Sequence, residues 1–125
     1  ALQEQILGMH KIKFVILLTE YCTGSPPKGL SHYVTSKYAA IGMAKTMVVE
    51  LAQYGCSVNM ISPGMVETPL LDSLPPKLIE MTAYQNPLKR NAVVSDITPI
   101  IKMLISEESD YINGINIPIA GGDIF

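Results

Sequence analysis

A chain of 125 residues, 48% hydrophobic and 16% charged, is long enough for one globular domain with a core and too short for two. Its net charge of −2, with acids and bases spread along the sequence, excludes the basic patch of a nucleic-acid-binding protein and the polybasic arm of a membrane-bound one. The two cysteines have no metal-like spacing, and no apolar run approaches the about 20 residues that span a bilayer, so we expect no metal site, reduced thiols and a cytoplasmic protein.

The first third of the chain predicts a helix, a strand and a loop. Residues 1–9 have apolar side chains at helical spacing and predict a helix. The short apolar run of residues 14–18 is typical of a strand buried on both faces in a parallel sheet. Residues 19–29 are dense in turn formers and predict a loop at the carboxyl end of that strand, where open α/β sheets bind ligands.

A longer helix is predicted from Tyr33 onwards. Three-and-four spacing indicates one buried stripe, formed by Ala40, Met43, Ala44, Met47, Val48 and Leu51. Tyr33 and Lys37 lie one turn apart near its start. A phenol with an ordinary pKa of about 10 is a poor acid-base catalyst at neutral pH, but a nearby cation favours the phenolate. The pair can therefore transfer protons, although such spacing also occurs where a tyrosine only covers the core edge.

A second strand is predicted for residues 57–62, after Gly55 stops the helix. A strand, a helix and a strand in this order imply a right-handed parallel crossover. The Pro63-Gly64 pair breaks the second strand at the same edge of the sheet as the loop of residues 19–29. Two loops and the Tyr33 turn should therefore converge at this edge.

The last part of the chain predicts a long segment, a helix and a strand. Residues 67–92 contain repeated prolines and a short helix at 77–83, which indicates either a substrate loop or a plain surface excursion. Ser95 resembles the N-cap of a helix that runs through Ile105. Residues 114–119 predict a last strand, at an edge because Pro118 cannot donate a ladder hydrogen bond.

Taken together and in order, these motifs resemble the C-terminal half of the short-chain dehydrogenase/reductase family. The matching segments are residues 33–37, 58–69, 87–90, 95–97 and 112–122. The resemblance implies an α/β fold, the C-terminal half of a Rossmann-like doubly wound parallel sheet with about three strands and flanking helices. Residues 1–125 would form a single incomplete domain, with residues 67–92 as the substrate loop and the N-terminal dinucleotide-binding half absent from this chain.

The resemblance also implies NAD(P)-dependent oxidation and reduction of a small-molecule alcohol or ketone. Tyr33 would exchange a proton with the substrate oxygen, and Lys37 would favour its phenolate and hold the nicotinamide ribose hydroxyls. The nicotinamide of NAD or NADP would be surrounded by Pro63, Gly64, Val66 and Thr68. Relatives of this kind pair through long helices, so a homo-oligomer through the helix after Tyr33 is expected.

Two departures from the family pattern leave alternatives open. No Gly-rich dinucleotide fingerprint follows a strand in this sequence. The family normally has a serine thirteen residues before the tyrosine, and Glu20 stands there instead. An ionised carboxylate would repel a developing alkoxide, so we assign the substrate-orienting hydroxyl to Thr19, with Tyr21 as the alternative. The chain is therefore predicted to be an oxidoreductase, or else a non-catalytic relative that binds a ligand or protein, or an inactive fragment.

Overall fold

Residues 11–124 are described by the computed structural model, so the helix predicted for residues 1–9 lies outside the described residues. Three parallel strands form one sheet in the order β1-β2-β3, and they are β1 (Lys13–Leu17), β2 (Ser57–Pro63) and β3 (Asn116–Ile119). The helices are α1 (Ser31–Ala52), α2 (Pro76–Gln85) and α3 (Val94–Ile105). The predicted open parallel α/β sheet is confirmed.

Strand β2 is the centre of the sheet and every one of its residues is buried. It pairs with β1 in the register Phe14↔Val58 and with β3 in the register Ile61↔Ile117. Buried Asn59 is fully bonded, since its Nδ2 donates to Ile112 O at 2.9 Å and its Oδ1 accepts from Ile115 N–H at 3.2 Å. Because all three strands run the same way, their carboxyl ends meet at one edge.

A helix covers each face of the sheet, because alternate strand residues point to opposite sides. On one face α1 packs with the buried side chains of Leu18, Ala44, Leu51, Cys56, Val58 and Met60. On the other face α3 packs with Ile61, Ile97 and Leu104. Both cysteines are free and buried, as predicted.

Helix α1 begins two residues before Tyr33 and ends three residues before Gly55, whose φ of 72° is a left-handed conformation that favours glycine. The predicted buried stripe is right for Ala44 and Leu51. It is wrong for Met43, which is 53% exposed. The remaining predicted positions, Ala40, Met47 and Val48, are half-buried, so the buried stripe is narrower than predicted.

The segment predicted as a long loop is largely ordered. It holds a 3₁₀ turn at Pro69–Ser73 and helix α2, and a parallel bridge between Val66 and Ala92 closes its two ends. No helix within residues 11–124 is long and apolar enough to cross a membrane.

Helix α3 starts at Val94, so the prediction of Ser95 as its N-cap is wrong. The N-cap is Val93, whose N–H donates to the Asp96 carboxylate at 2.8 Å, while its carbonyl accepts from Asp96 N–H at 2.9 Å. The guanidinium of Arg90 donates two hydrogen bonds to the same carboxylate, at 2.7 and 2.9 Å. The carboxylate of Asp96 therefore satisfies the N–H of the N-cap residue, and the side-chain cap that we expected from a serine is not made.

Candidate active site

Tyr33 and Lys37 lie side by side in the first two turns of α1. The ammonium Nζ of Lys37 is 5.7 Å from the centre of the Tyr33 ring, and 37% of Tyr33 is exposed. The helical spacing of four residues places both side chains on one face. The predicted side-by-side placement of the phenol and the ammonium is therefore present in the structure.

Lys37 is anchored at the carboxyl end of β1. Its Nζ donates a hydrogen bond to Leu17 O at 3.0 Å, on the last residue of the strand. Its charge also reaches the turn that follows: burial raises the pKa of the Cys22 thiol, and Lys37 partly opposes that rise. The ammonium is therefore fixed at the edge of the sheet that binds ligands in open α/β folds.

The predicted break after β2 lies at this same edge. Leu18 N–H donates to Ile61 O at 2.8 Å, which aligns the ends of β1 and β2. Pro63 is the last residue of β2 and is buried. Gly64 N–H donates to Ile119 O at 3.1 Å, which ties the bend to the end of β3.

Val66 presents its backbone polar groups away from the bridge with Ala92. The two bridging hydrogen bonds use Met65 O, which accepts from Ala92 N–H, and Glu67 N–H, which donates to Ala92 O, each at 2.8–2.9 Å. The N–H and C=O of Val66 take part in no hydrogen bond within residues 11–124. They remain available for a ligand.

Thr68 stands at the N-cap of the 3₁₀ turn Pro69–Ser73, but its side chain does not cap it. The backbone carbonyl of Thr68 accepts from Leu71 N–H at 2.9 Å instead. The hydroxyl therefore keeps its hydrogen-bonding capacity with respect to the described part of the chain.

Thr19 is 6% exposed and its hydroxyl accepts a hydrogen bond from Tyr21 N–H at 3.5 Å. It caps the 3₁₀ turn Glu20–Cys22, which α1 also holds because Tyr38 Oη donates to Cys22 O at 3.1 Å. Between residues 11 and 124, Thr19 Oγ1 makes no hydrogen bond with the phenol of Tyr33. Its role toward a substrate stays a prediction.

Glu20 is a buried carboxyl at this edge that the predicted site did not include. The residue is 5% exposed, and no hydrogen-bond donor among the described residues reaches its carboxyl. Burial, and then the charge of Asp123, raise the pKa of Glu20 to about 7. Burial first, followed by the charges of Glu20, Tyr33 and Asp123, raises the pKa of the neighbouring Tyr21 phenol.

Glu20 lines a cavity of about 210 Å³ between the ends of β2 and β3 and the segment that carries α2. Its other walls include Gly64, Thr82, Asn86, Arg90, Asn91, Asp96 and Asp123. The sequence signal for Glu20 was an acid next to a buried apolar strand. The rest of the cavity gave no local signal, because its walls come from segments up to 100 residues apart.

Within the described range no group of three or more His, Cys, Asp or Glu side chains could hold a metal ion.

Known proteins resemble nearly the whole chain. A family profile described as "Enoyl-(Acyl carrier protein) reductase" matches residues 5–123. The 3-oxoacyl-[acyl-carrier-protein] reductase FabG of Thermotoga maritima is 39% identical over 99 residues, covering 79% of this chain and 39% of that protein. The (3R)-3-hydroxyacyl-CoA dehydrogenase of Mus musculus is 31% identical over 94 residues, covering 75% of this chain and 36% of that protein. The chain spans about two fifths of the length of the curated relatives it matches.

Solved structures match equally well. The crystal structure of a 3-oxoacyl-[acyl-carrier protein] reductase from Brucella melitensis superposes with a TM-score of 0.86 at 25% identity, covering 97% of this chain and 45% of that one. A second reductase of that name and species, with bound NAD, superposes with a TM-score of 0.84 at 25% identity, covering 97% of this chain and 44% of that one.

Proposed function

The chain belongs to the short-chain dehydrogenase/reductase family, and from that premise we propose that it carries the acid-base centre of an NAD(P)-dependent oxidoreductase. The reaction would interconvert an alcohol and a carbonyl group on a small molecule. The observation that carries the proposal is the position of Lys37 Nζ, 5.7 Å from the Tyr33 ring and bonded to the carboxyl end of β1.

Tyr33 gives a proton to the substrate oxygen during reduction and takes one back during oxidation. Its partial exposure leaves the phenol open to a substrate. Lys37 stabilises the phenolate that remains after the proton has left, and its second role is to bind the nicotinamide ribose hydroxyls. The anchor at Leu17 O holds the ammonium in place without neutralising its charge.

The residues at the end of β2 fit a nicotinamide. A carboxamide needs one acceptor and one donor, and Val66 offers both a backbone N–H and a C=O that no described residue uses. Pro63 and Gly64 let the backbone approach closely, and the uncapped hydroxyl of Thr68 adds a further hydrogen-bonding group. When bound, NAD or NADP supplies or accepts the hydride.

A homo-oligomer through α1 forms part of the proposal. Met43 and Val49 on this helix are 53% and 77% exposed, which is apolar surface that a second copy could cover.

A second candidate function is ligand or partner binding without catalysis. It is favoured by one observation: within residues 11–124 the Thr19 hydroxyl accepts from Tyr21 N–H and makes no hydrogen bond with the phenol of Tyr33, so the two groups are not joined as a substrate-orienting pair. A binding protein of this kind would bind ligands and give no hydride transfer.

The test is the turnover of the full chain with Tyr33→Phe, with Tyr84→Phe as the matched control on the exposed surface of α2. We expect Tyr33→Phe to lower turnover by about 100-fold or more, because acid-base catalysis contributes about that much or more. Cofactor affinity, measured by nicotinamide fluorescence, should stay nearly unchanged, and the control should match the wild type. Equal turnover by all three proteins would remove Tyr33 from the mechanism, and cofactor binding with no turnover even in the wild type would favour the second candidate.

A further inference from the structure

The carboxyl of Glu20 is an incomplete polar site. Buried carboxyl groups are normally paired or hydrogen-bonded, because desolvation disfavours their charge. Glu20 is buried and has neither a hydrogen bond nor an ion pair within residues 11–124. It borders the cavity described above, so a donor group could reach it from there.

The other charged groups around the cavity do not supply that donor. Arg90 lies on the wall, but its guanidinium makes two hydrogen bonds to Asp96 and one to Asn91 O at 3.0 Å. Asp123 lies on the same wall and raises the pKa of Glu20. With Arg90 and Asp96 compensating one another, the carboxyls of Glu20 and Asp123 are the remaining acidic groups among the described residues of the cavity wall.

Backbone packing fixes the Glu20 carboxyl beside the bend after β2. A Cβ on Gly64 would lie only 2.8 Å from Glu20 Oε2, so the carboxyl occupies the space that a side chain at position 64 would need. The amide of Asn86 is also committed, because its Nδ2 donates to Ala120 O at 2.8 Å and its Oδ1 accepts from Leu88 N–H at 2.9 Å. The cavity thus offers acceptors and negative charge.

We propose that this cavity binds the ammonium group of an amino alcohol or amino ketone substrate, with the Glu20 carboxylate as its hydrogen-bond acceptor. The inference deepens the proposed function and names its substrate class. A cation satisfies the buried carboxyl and offsets the charge of Asp123 at once, whereas a neutral hydroxyl does only the former. An anionic group would meet two carboxylates and be excluded.

The size of the cavity suits such a group. At about 30 Å³ for each water in the liquid, 210 Å³ corresponds to about seven water molecules, which is enough for an amine with a short carbon stem.

The experiment compares three probes of similar shape that differ in charge: 1-amino-2-propanol, 1,2-propanediol and lactate. Their dissociation constants for the full chain are measured at pH 8 by calorimetry or ligand-observed NMR, without cofactor. We expect the amine to bind about tenfold more tightly than the diol, and lactate to bind most weakly, as a charge-assisted hydrogen bond predicts.

Variants assign the effect to Glu20. Glu20→Gln keeps the shape and should weaken amine binding about tenfold while leaving the diol nearly unchanged. Glu80→Gln on the exposed face of α2 is the control and should match the wild type. Asp123→Asn should weaken the amine by a smaller factor, about twofold to threefold, because an exposed charge is screened. The Asp123 variant keeps the test open if Glu20→Gln folds poorly.

The inference is overturned if the diol or lactate binds as tightly as the amine, if no saturable amine binding occurs, or if Glu20→Gln binds the amine like the wild type. Its failure is separable from that of the proposed function. Tyr33→Phe should leave amine binding intact, so loss of turnover in that variant together with undiscriminated probes would reject the substrate class alone. Amine selectivity together with normal turnover of Tyr33→Phe would reject the acid-base role of Tyr33 alone.

Discussion

Two regions meet at the carboxyl edge of the sheet, and they differ in the burial and hydrogen bonding of their ionisable groups. On the α1 side, Tyr33 and Lys37 are partly exposed, and the ammonium is satisfied by Leu17 O. On the cavity side, Glu20 is buried beside Gly64 with no donor. The ammonium of Lys37 is therefore hydrogen-bonded, whereas burial disfavours the ionised form of Glu20.

The surroundings of an ionisable group, more than its residue type, set its pKa. A carboxyl in water is ionised at neutral pH, whereas Glu20 has a pKa of about 7 because it is desolvated and lies near Asp123. It therefore carries a proton part of the time under ordinary conditions.

The largest effect is expected on the α1 side, for Lys37→Met. In the proposed mechanism the ammonium stabilises the phenolate and contacts the cofactor, so its loss should lower turnover by about 100-fold and lower cofactor affinity as well. Lys45→Met, at an exposed position on the same helix, is the control. Steady-state kinetics and nicotinamide fluorescence measure the two effects, and unchanged cofactor affinity would break the dual role of Lys37.

The second largest effect concerns Glu20 and the dependence of the free energy of unfolding on pH. The folded-state pKa of Glu20 is about 7, above the ordinary value of 4.5, so the folded protein binds that proton more tightly. The stability it contributes is complete below pH 4.5 and is lost as the pH rises through 7, a change of about 3 kcal/mol.

Urea unfolding between pH 4.5 and 8 measures this effect. The wild type should lose stability relative to Glu20→Gln as the pH rises, while Glu80→Gln should follow the wild type. Parallel pH profiles for all three proteins would show that Glu20 is not desolvated.

A smaller effect is expected for Gly64→Ala, because Gly64 lies at the bend after β2 and next to the Glu20 carboxyl. The added Cβ meets Glu20 Oε2 at 2.8 Å and Ala120 Cα at 3.5 Å, so we expect a destabilisation of about 1–2 kcal/mol. The cost should shrink in a Glu20→Ala background, where the obstructing carboxyl is gone. Gly42→Ala is the control because nothing lies within 4 Å of its Cβ, and thermal unfolding of the four variants tests the pattern. Equal costs in both backgrounds would separate Gly64 from Glu20.

The smallest effect concerns the start of α3, which carries Asp96 to the cavity. Val93 is its N-cap and has no side-chain oxygen, so Val93→Ser should stabilise the protein by about 0.5–1 kcal/mol. Thermal unfolding measures the shift, with Val94→Ser inside the helix as the control. A neutral or destabilising result would mean that the Asp96 carboxylate already satisfies this terminus.

Most of the helices and strands could be predicted from sequence, because they are marked by local patterns of apolar residues. The apolar runs of residues 14–18 and 57–62 predicted strands, and the structure has β1 and β2 there within a residue or so. Helix α1 was predicted from the spacing of its apolar residues, and reduced, buried cysteines were predicted from their lack of metal-like spacing and from the expected cytoplasmic setting. The short helix expected at 77–83 is α2, extended by one residue before and two after.

The details that failed depend on contacts between distant residues. Met43 is 53% exposed whereas its neighbour Ala44 is fully buried, and helical spacing alone does not show how wide the covered stripe is. Ser95 is not the N-cap, because Arg90 holds Asp96 in position to accept from Val93 N–H. The raised pKa of Glu20 likewise depends on residues far along the chain, since its carboxyl lies beside Gly64 and near the charge of Asp123.

The most direct test of the central claim is a double-mutant cycle on turnover with Tyr33→Phe, Lys37→Met and both together. If the phenol and the ammonium act as one acid-base centre, the double variant should be about as slow as the slower single variant, because residues that act as a unit are strongly non-additive. If the two losses multiply as independent factors, the two groups do not act together and the account is contradicted.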